Sequence, residues 1–272
     1  MISKTRNDLF FIPDETPIYR YMTLAQFLFM VQHSCLYFSS ISLWDDPFEG
    51  IDSTTFYEKY KYVIEREKSG QQWRRFTPME SEVYNYCELY SKHYREFCYG
   101  TSWSLLKESD AMWRIYSPDT KGIKIQTTLG KLSSLHEFEL AFPSGRHQQN
   151  FKSKTGKVIY LTDHKPIEDS YLPLPTLEIF FYKRPEFEHE KEVRKVIEGF
   201  QIEALKEEVR TKLRVLQGKF IHAKIDLKHF IDEIVVDPRT PDWFLSTMER
   251  YCCSNNSLTG KFIGRSKLYS SG

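Results

Sequence analysis

Apolar and polar positions alternate along this chain in short blocks, and the blocks switch between a period of two and a helical period. Ile18-Tyr19-Arg20-Tyr21-Met22 predicts a strand, with Arg20 alone among apolar and aromatic neighbours. Thr23 caps a helix in which Leu24, Phe27, Leu28 and Val31 fall at helical spacing. Leu36-Tyr37-Phe38 is a second short strand, and Trp44-Asp45-Asp46-Pro47-Phe48-Glu49-Gly50 reads as a rigid turn bearing three carboxylates. Residues 54–68 and 78–96 are expected to be helical, the second opening on a capping box at Thr77, Pro78 and Glu80. The chain returns to the core at 97–104, forms a brief helix around Asp110–Tyr116, and alternates as a strand over 122–126. Pro143, Gly145 and Gly156 make 143–157 read as a loop. Strands are then expected at 158–161, 190–197, 220–225, 234–236 and from Phe262. Helices are expected at 203–216 and from Asp242 to about Tyr251, with a Pro-rich connection at 166–175.

Strands and helices thus alternate irregularly, without the spacing of regular parallel βαβ units. This predicts an α+β fold, a twisted mixed sheet with surrounding helices, in one domain over 1–272 with its core at about 17–269. The 272 residues can bury a substantial core. The net charge of +1 gives no overall field for nucleic acid or membrane, so a nucleic-acid site must be a local patch. Five cysteines without a C-x-x-C pair argue against a disulfide framework or a zinc site, and together with the lack of a membrane-length apolar run they predict a cytoplasmic protein. With 17 Tyr, 20 Phe and 5 Trp, stacking surfaces are plentiful.

Charge crowds into Phe187–Ile197. On an extended 190–197 segment, Glu190, Glu192 and Arg194 share one face, while Val193 and Ile197 point the other way. Two carboxylates and a guanidinium on a core strand are costly unless that face lines a cleft; the alternative is a solvated edge strand with an ion pair. Arg20, Thr101-Ser102-Trp103-Ser104 and Glu190-x-Glu192 together suit a transfer of ADP-ribose from NAD. A forked guanidinium can hold pyrophosphate, an aromatic beside a hydroxyl can stack nicotinamide, and a carboxylate can stabilise positive charge developing on ribose. Asp45, Asp46, Glu49, Glu190 and Glu192 could instead hold Mg²⁺ in a nuclease, and a non-catalytic ligand- or partner-binding module is a further alternative. Arg20 could also be a structural partner of Glu190 or Asp46. Residues 144–157 carry Arg146, Lys152, Lys154 and Lys157 and no acid, which makes them candidates for guiding a nucleic-acid acceptor.

The order of these features resembles the Arg-Ser-Glu class of ADP-ribosyltransferases. There an Arg on the first strand, a Ser-Thr-Ser-like motif and a terminal Glu-x-Glu occur in that sequence. The resemblance implies an ADP-ribosyltransferase-like fold, with NAD as substrate and Arg20, Tyr21, Thr101, Ser102, Trp103 and Ser104 around it. It implies that Glu192 and Glu190 are catalytic, and leaves Ser102 or Ser104 as the pocket serine, because Trp103 departs from the compact motif. The chain also resembles a widespread bacterial family known only as a domain of unknown function. That resemblance is carried by Tyr19-Arg20-Tyr21, Asp46-Pro47-Phe48, Met112-Trp113 with Tyr116, Gly122-Ile123 and Glu190-x-Glu192-Val193-Arg194. The likeness to mobile bacterial transferases implies a toxin or phage-defence effector acting on a nucleic acid or protein, with an antitoxin or immunity partner.

Overall fold

A computed structural model describes residues 10–46, 94–96, 98–142, 145–160, 177–198 and 220–270, with side chains described in these ranges except at 139–150. The expected elements at 54–68, 166–175 and 203–216 lie outside the described residues. Of the helix expected over 78–96, residues 94–96 are described and are helical.

The architecture is mixed α/β, built on an eleven-stranded mixed sheet. In chain order it comprises β1 (Pro17–Met22), α1 (Leu24–His33), β2 (Cys35–Ser40), β3 (Cys98–Ser104), α2 (Asp110–Tyr116), β4 (Ile123–Thr128) and α3 (Leu129–Ser133). Next come β5 (Glu137–Phe142), β6 (Gly145–Asn150), β7 (Lys152–Lys157), β8 (Ile159–Tyr160), β9 (Tyr182–Lys183) and β10 (Glu192–Glu198). The chain continues through β11 (Phe220–Lys224), α4 (Leu227–Phe230), β12 (Glu233–Val236), α5 (Asp242–Ser254) and β13 (Phe262–Arg265). Thr23 caps α1 as its sequence predicts, with Gln26 completing a reciprocal capping box.

Two features bear on the site. Along β3, one edge pairs fully with β10, from Glu192↔Ser104 to Glu198↔Cys98. The opposite edge is shared: Ser104 pairs with Tyr19 of β1, whereas Gly100 and Tyr99 pair with Ser39 and Ser40 of β2. Strands β1, β4, β12 and β13 therefore diverge from β2, β11, β5 and β6 at residues 101–103, and the sheet forks there. Secondly, the run β7-β10-β3-β2-β11-β5-β6 begins and ends on strands separated in sequence by Phe151 alone, so this part of the sheet curls back towards itself. Its interior is filled by Phe38, Tyr99, Phe138, Val193, Ile197 and Ile221.

Two expectations are corrected. While 143 and 144 lie outside the described residues, residues 145–150 and 152–157 are strands rather than loop, since β6 pairs with β5 and β7 with β10. Their polar composition hid this because both lie at the ends of the curled run, where ladder hydrogen bonds rather than two-sided burial hold a strand. Gly156 fits there because a Cβ would lie 2.9 Å from the Phe10 carbonyl oxygen. Glu190 is not on the strand. It ends a 3₁₀ turn at Pro185–Glu190, and Lys191 adopts a left-handed conformation with φ 43° before β10 starts at Glu192.

Candidate functional site

A pocket of about 510 Å³ opens at the fork, within the range of roughly 300–1,000 Å³ usual for small-molecule sites. On one side lies Arg20. Its Nη1 donates to Thr101 Oγ1 at 2.6 Å, and its guanidinium sits 5.4 Å from the Tyr37 ring and 5.8 Å from the Trp103 ring. Among the described residues no carboxylate pairs with it. The structural partners considered for it are engaged elsewhere: Asp46 binds Arg184 at 3.0 Å, and Glu190 binds Lys183 at 2.8 Å. Burial lowers the Arg20 pKa, yet guanidinium stays charged at any physiological pH.

Across the pocket stands a buried charge cluster. Arg194, fully buried, grips Glu192 with both arms of its fork, Nε to Oε1 at 3.0 Å and Nη2 to Oε2 at 2.7 Å. Lys183 Nζ donates to Glu192 at 3.3 Å and to Glu190 at 2.8 Å, and Ser102 faces Arg194 across the β3–β10 ladder beside them. An ionised carboxylate offers about four acceptor sites, and three donors, two from Arg194 and one from Lys183, engage both oxygens of Glu192. Glu190 is different: Lys183 occupies Oε2, and Oε1 has no protein donor among the described residues.

The electrostatics separate the pair further. Burial pushes the Glu192 pKa up, but Arg194, Lys183 and Ser102 outweigh it and hold the carboxyl below its ordinary range. Burial, followed by the charge of Glu192, pushes Glu190 up. Tyr116, at the rim, is pushed to about 12 by burial and then by these two carboxylates. One carboxylate thus stays ionised while the other is positioned to take and release a proton.

The remaining expected residues divide. Ser104 is nearly inaccessible and serves the backbone: its Oγ donates to the Glu190 carbonyl at 2.7 Å and accepts from Leu106 N at 3.0 Å. Ser102 is the less buried of the two and stands opposite Arg194 in the β3–β10 ladder, on the pocket lining. Tyr21 lines the pocket but directs its hydroxyl at the Leu106 and Lys107 carbonyls, and its ring meets Trp113 edge-on at 4.9 Å. Trp103 is buried beneath Arg20, on the face of β3 opposite Ser102 and Ser104. The ring beside the acidic cluster is Trp44, which covers Arg194 at 4.6 Å, with Nε1 held by Ser39 Oγ at 3.0 Å. Gly100 makes room for it, since a Cβ there would fall 2.5 Å from Trp44 Cζ2.

Lys152, Lys154 and Lys157 are not in the pocket wall. Lys152 lies 3.7 Å from Glu198, Lys154 pairs with Glu178 at 2.6 Å, and Lys157 is exposed at the end of β7. The acid-free run in sequence therefore meets acids from β10 and the 177–181 turn in space. Arg146 belongs to β6, where side chains are not described. Sequence reasoning missed Lys183 and Trp44. Lys183 belongs to no motif, and Trp44 was read only as part of a turn.

Of the carboxylates considered for a metal, Asp46, Glu190 and Glu192 are paired with Arg184, Lys183 and Arg194, and Glu49 lies outside the described residues. Among the described residues no group of three or more His, Cys, Asp or Glu is arranged to hold a metal. No helix among them is long and apolar enough to cross a membrane.

Residues 112–195 match a family model described as a protein of unknown function, DUF2971. The matched interval includes Trp113, Tyr116, Lys183, Glu190, Glu192 and Arg194, and excludes Arg20 and the 101–104 segment. No curated protein and no solved structure matches the chain.

Proposed function

We propose that this pocket binds NAD and transfers its ADP-ribosyl group, within a fold of ADP-ribosyltransferase type. The observation that carries this reading is convergence. Arg20, Thr101, Ser102, Glu190 and Glu192, drawn from three distant stretches, line one pocket with the Arg20 guanidinium and the carboxylate pair on different walls. Arg20 has five N–H donors, of which Thr101 takes one among the described residues. The others suit the oxygens of a pyrophosphate. In the reaction, the bond between ribose C1 and the nicotinamide nitrogen breaks, and its electron pair leaves with nicotinamide. An acceptor oxygen or nitrogen then bonds to C1 and loses its proton. Glu190 takes that proton through the free Oε1. Glu192 remains anionic and stabilises the positive charge on the ribose through the field of the site while fixing Arg194 and Lys183. The effector role and its inhibitory partner rest on the resemblance to mobile transferases alone.

One observation favours a second reading, a ligand-binding module without turnover: the carboxylate expected to contact ribose, Glu192, has both oxygens engaged by protein donors. Both readings are tested with the full chain and NAD. Transfer predicts release of nicotinamide, unaffected by EDTA. Arg20→Lys should weaken NAD binding roughly 10- to 100-fold, because lysine keeps the charge but not the fork. NAD bound by the wild type but never consumed would establish the binding module. Unchanged affinity in Arg20→Lys would remove Arg20 from the phosphate site.

A further inference from the structure

A second feature adjoins the pocket and is not used by the proposed chemistry. On β11, Ile221 and Ala223 point into the core with no exposure, which puts Phe220, His222 and Lys224 on the outer face. Phe220 pairs with Ser39 and His222 with Tyr37 across the β2 ladder. The end of α1 completes the surface. Phe29 lies 4.4 Å from His33, 6.4 Å from Tyr37 and 5.8 Å from His222, while Phe220 lies 6.3 Å from Tyr37 and 5.4 Å from His222. Five rings therefore form one continuous patch, and Phe29 and Phe220 are 37% and 43% exposed. The patch runs into the pocket, because Tyr37 and Ser39 belong to both and Arg20 stands over Tyr37.

We propose that this strip is a stacking track for single-stranded nucleic acid leading into the pocket. Two of its five rings, Phe29 and Phe220, are exposed and offer planar faces on which bases can stack. At its inner end is a cation without a carboxylate partner among the described residues, which complements a phosphate. The Lys224 position follows His222 on the same strand face. Binding by the strip stands independently of NAD chemistry; only the role of the strand as acceptor rests on the proposed transfer.

The test is fluorescence anisotropy with the full chain, a labelled single strand of about twelve nucleotides and no NAD, at low salt. Phe220→Ala and Phe29→Ser should each weaken binding roughly 5- to 150-fold, since stacking contributes about 1–3 kcal/mol per base. Both positions are exposed, so circular dichroism should be unchanged, and NAD affinity should match the wild type. Failure of the wild type to bind the strand, equal binding by the variants, or equal affinity for a duplex would each overturn the track. Ring-dependent strand binding in a chain that does not bind NAD would keep the track and remove the ADP-ribosyl reading.

Discussion

Replacing each carboxylate of the pair by its amide should separate catalysis from stability. In Glu192→Gln the buried Arg194 loses its charged partner, and one amide N–H₂ is forced against donors of Arg194 or Lys183. Breaking one side of a buried ion pair costs about 3–5 kcal/mol. At about 2–4 °C per kcal/mol for a chain of this size, Tm should fall by roughly 6–20 °C. Glu190→Gln weakens one bond to Lys183, which keeps Glu192, so the loss is about 1 kcal/mol. Turnover, however, should fall by roughly 10²–10⁴ through loss of the proton acceptor. The pH dependence has opposite signs for the two groups. The folded pKa of Glu192 is depressed, so its stabilisation is present above the ordinary value of 4.5 and is lost as pH falls through the folded value. That of Glu190 is raised, so stability declines as pH rises from 4.5 through the folded value, and Glu190→Gln should abolish this decline. Thermal unfolding across pH and nicotinamide release measure both effects. A Glu192→Gln protein as stable as wild type but inactive, beside an active Glu190→Gln, would refute the division of roles.

Gly100→Ala should push Trp44 off Arg194, because the new Cβ would sit 2.5 Å from Cζ2 and 2.9 Å from Cη2. A loss of about 1–3 kcal/mol and a changed tryptophan emission are expected, and an unaltered emission spectrum with wild-type Tm would contradict this packing. Lys195, buried with Ser133 and Thr155 as hydrogen-bond partners, has its pKa lowered to about 8 by burial. The unfolded chain then binds more protons than the folded one above that value, so stability rises with pH. Wild type should gain about 3 kcal/mol relative to Lys195→Met between pH 8 and 10.5, and parallel stability curves would refute the buried charge.

Local pattern was enough for most of the frame. Arg20 in an early strand, the Thr23 cap, the Asp110–Tyr116 helix and the apolar blocks at 220–225 and 234–236 were legible because burial imposes its period on the sequence directly. Sequence order also placed Arg20, Ser102, Glu190 and Glu192 together as a candidate set. Strands β6 and β7 were illegible, since edge strands held by backbone ladders need no apolar alternation. Tertiary structure alone decided which groups share the charges. Lys183 comes from a short strand after a 3₁₀ turn, and its two bonds, with the fork of Arg194, leave Glu190 rather than Glu192 with an open oxygen. Spacing in sequence can place two carboxylates near one another. Which of them keeps an open oxygen depends on donors delivered by the rest of the fold, and hydrogen-bond saturation is a property of the packed site rather than of the motif.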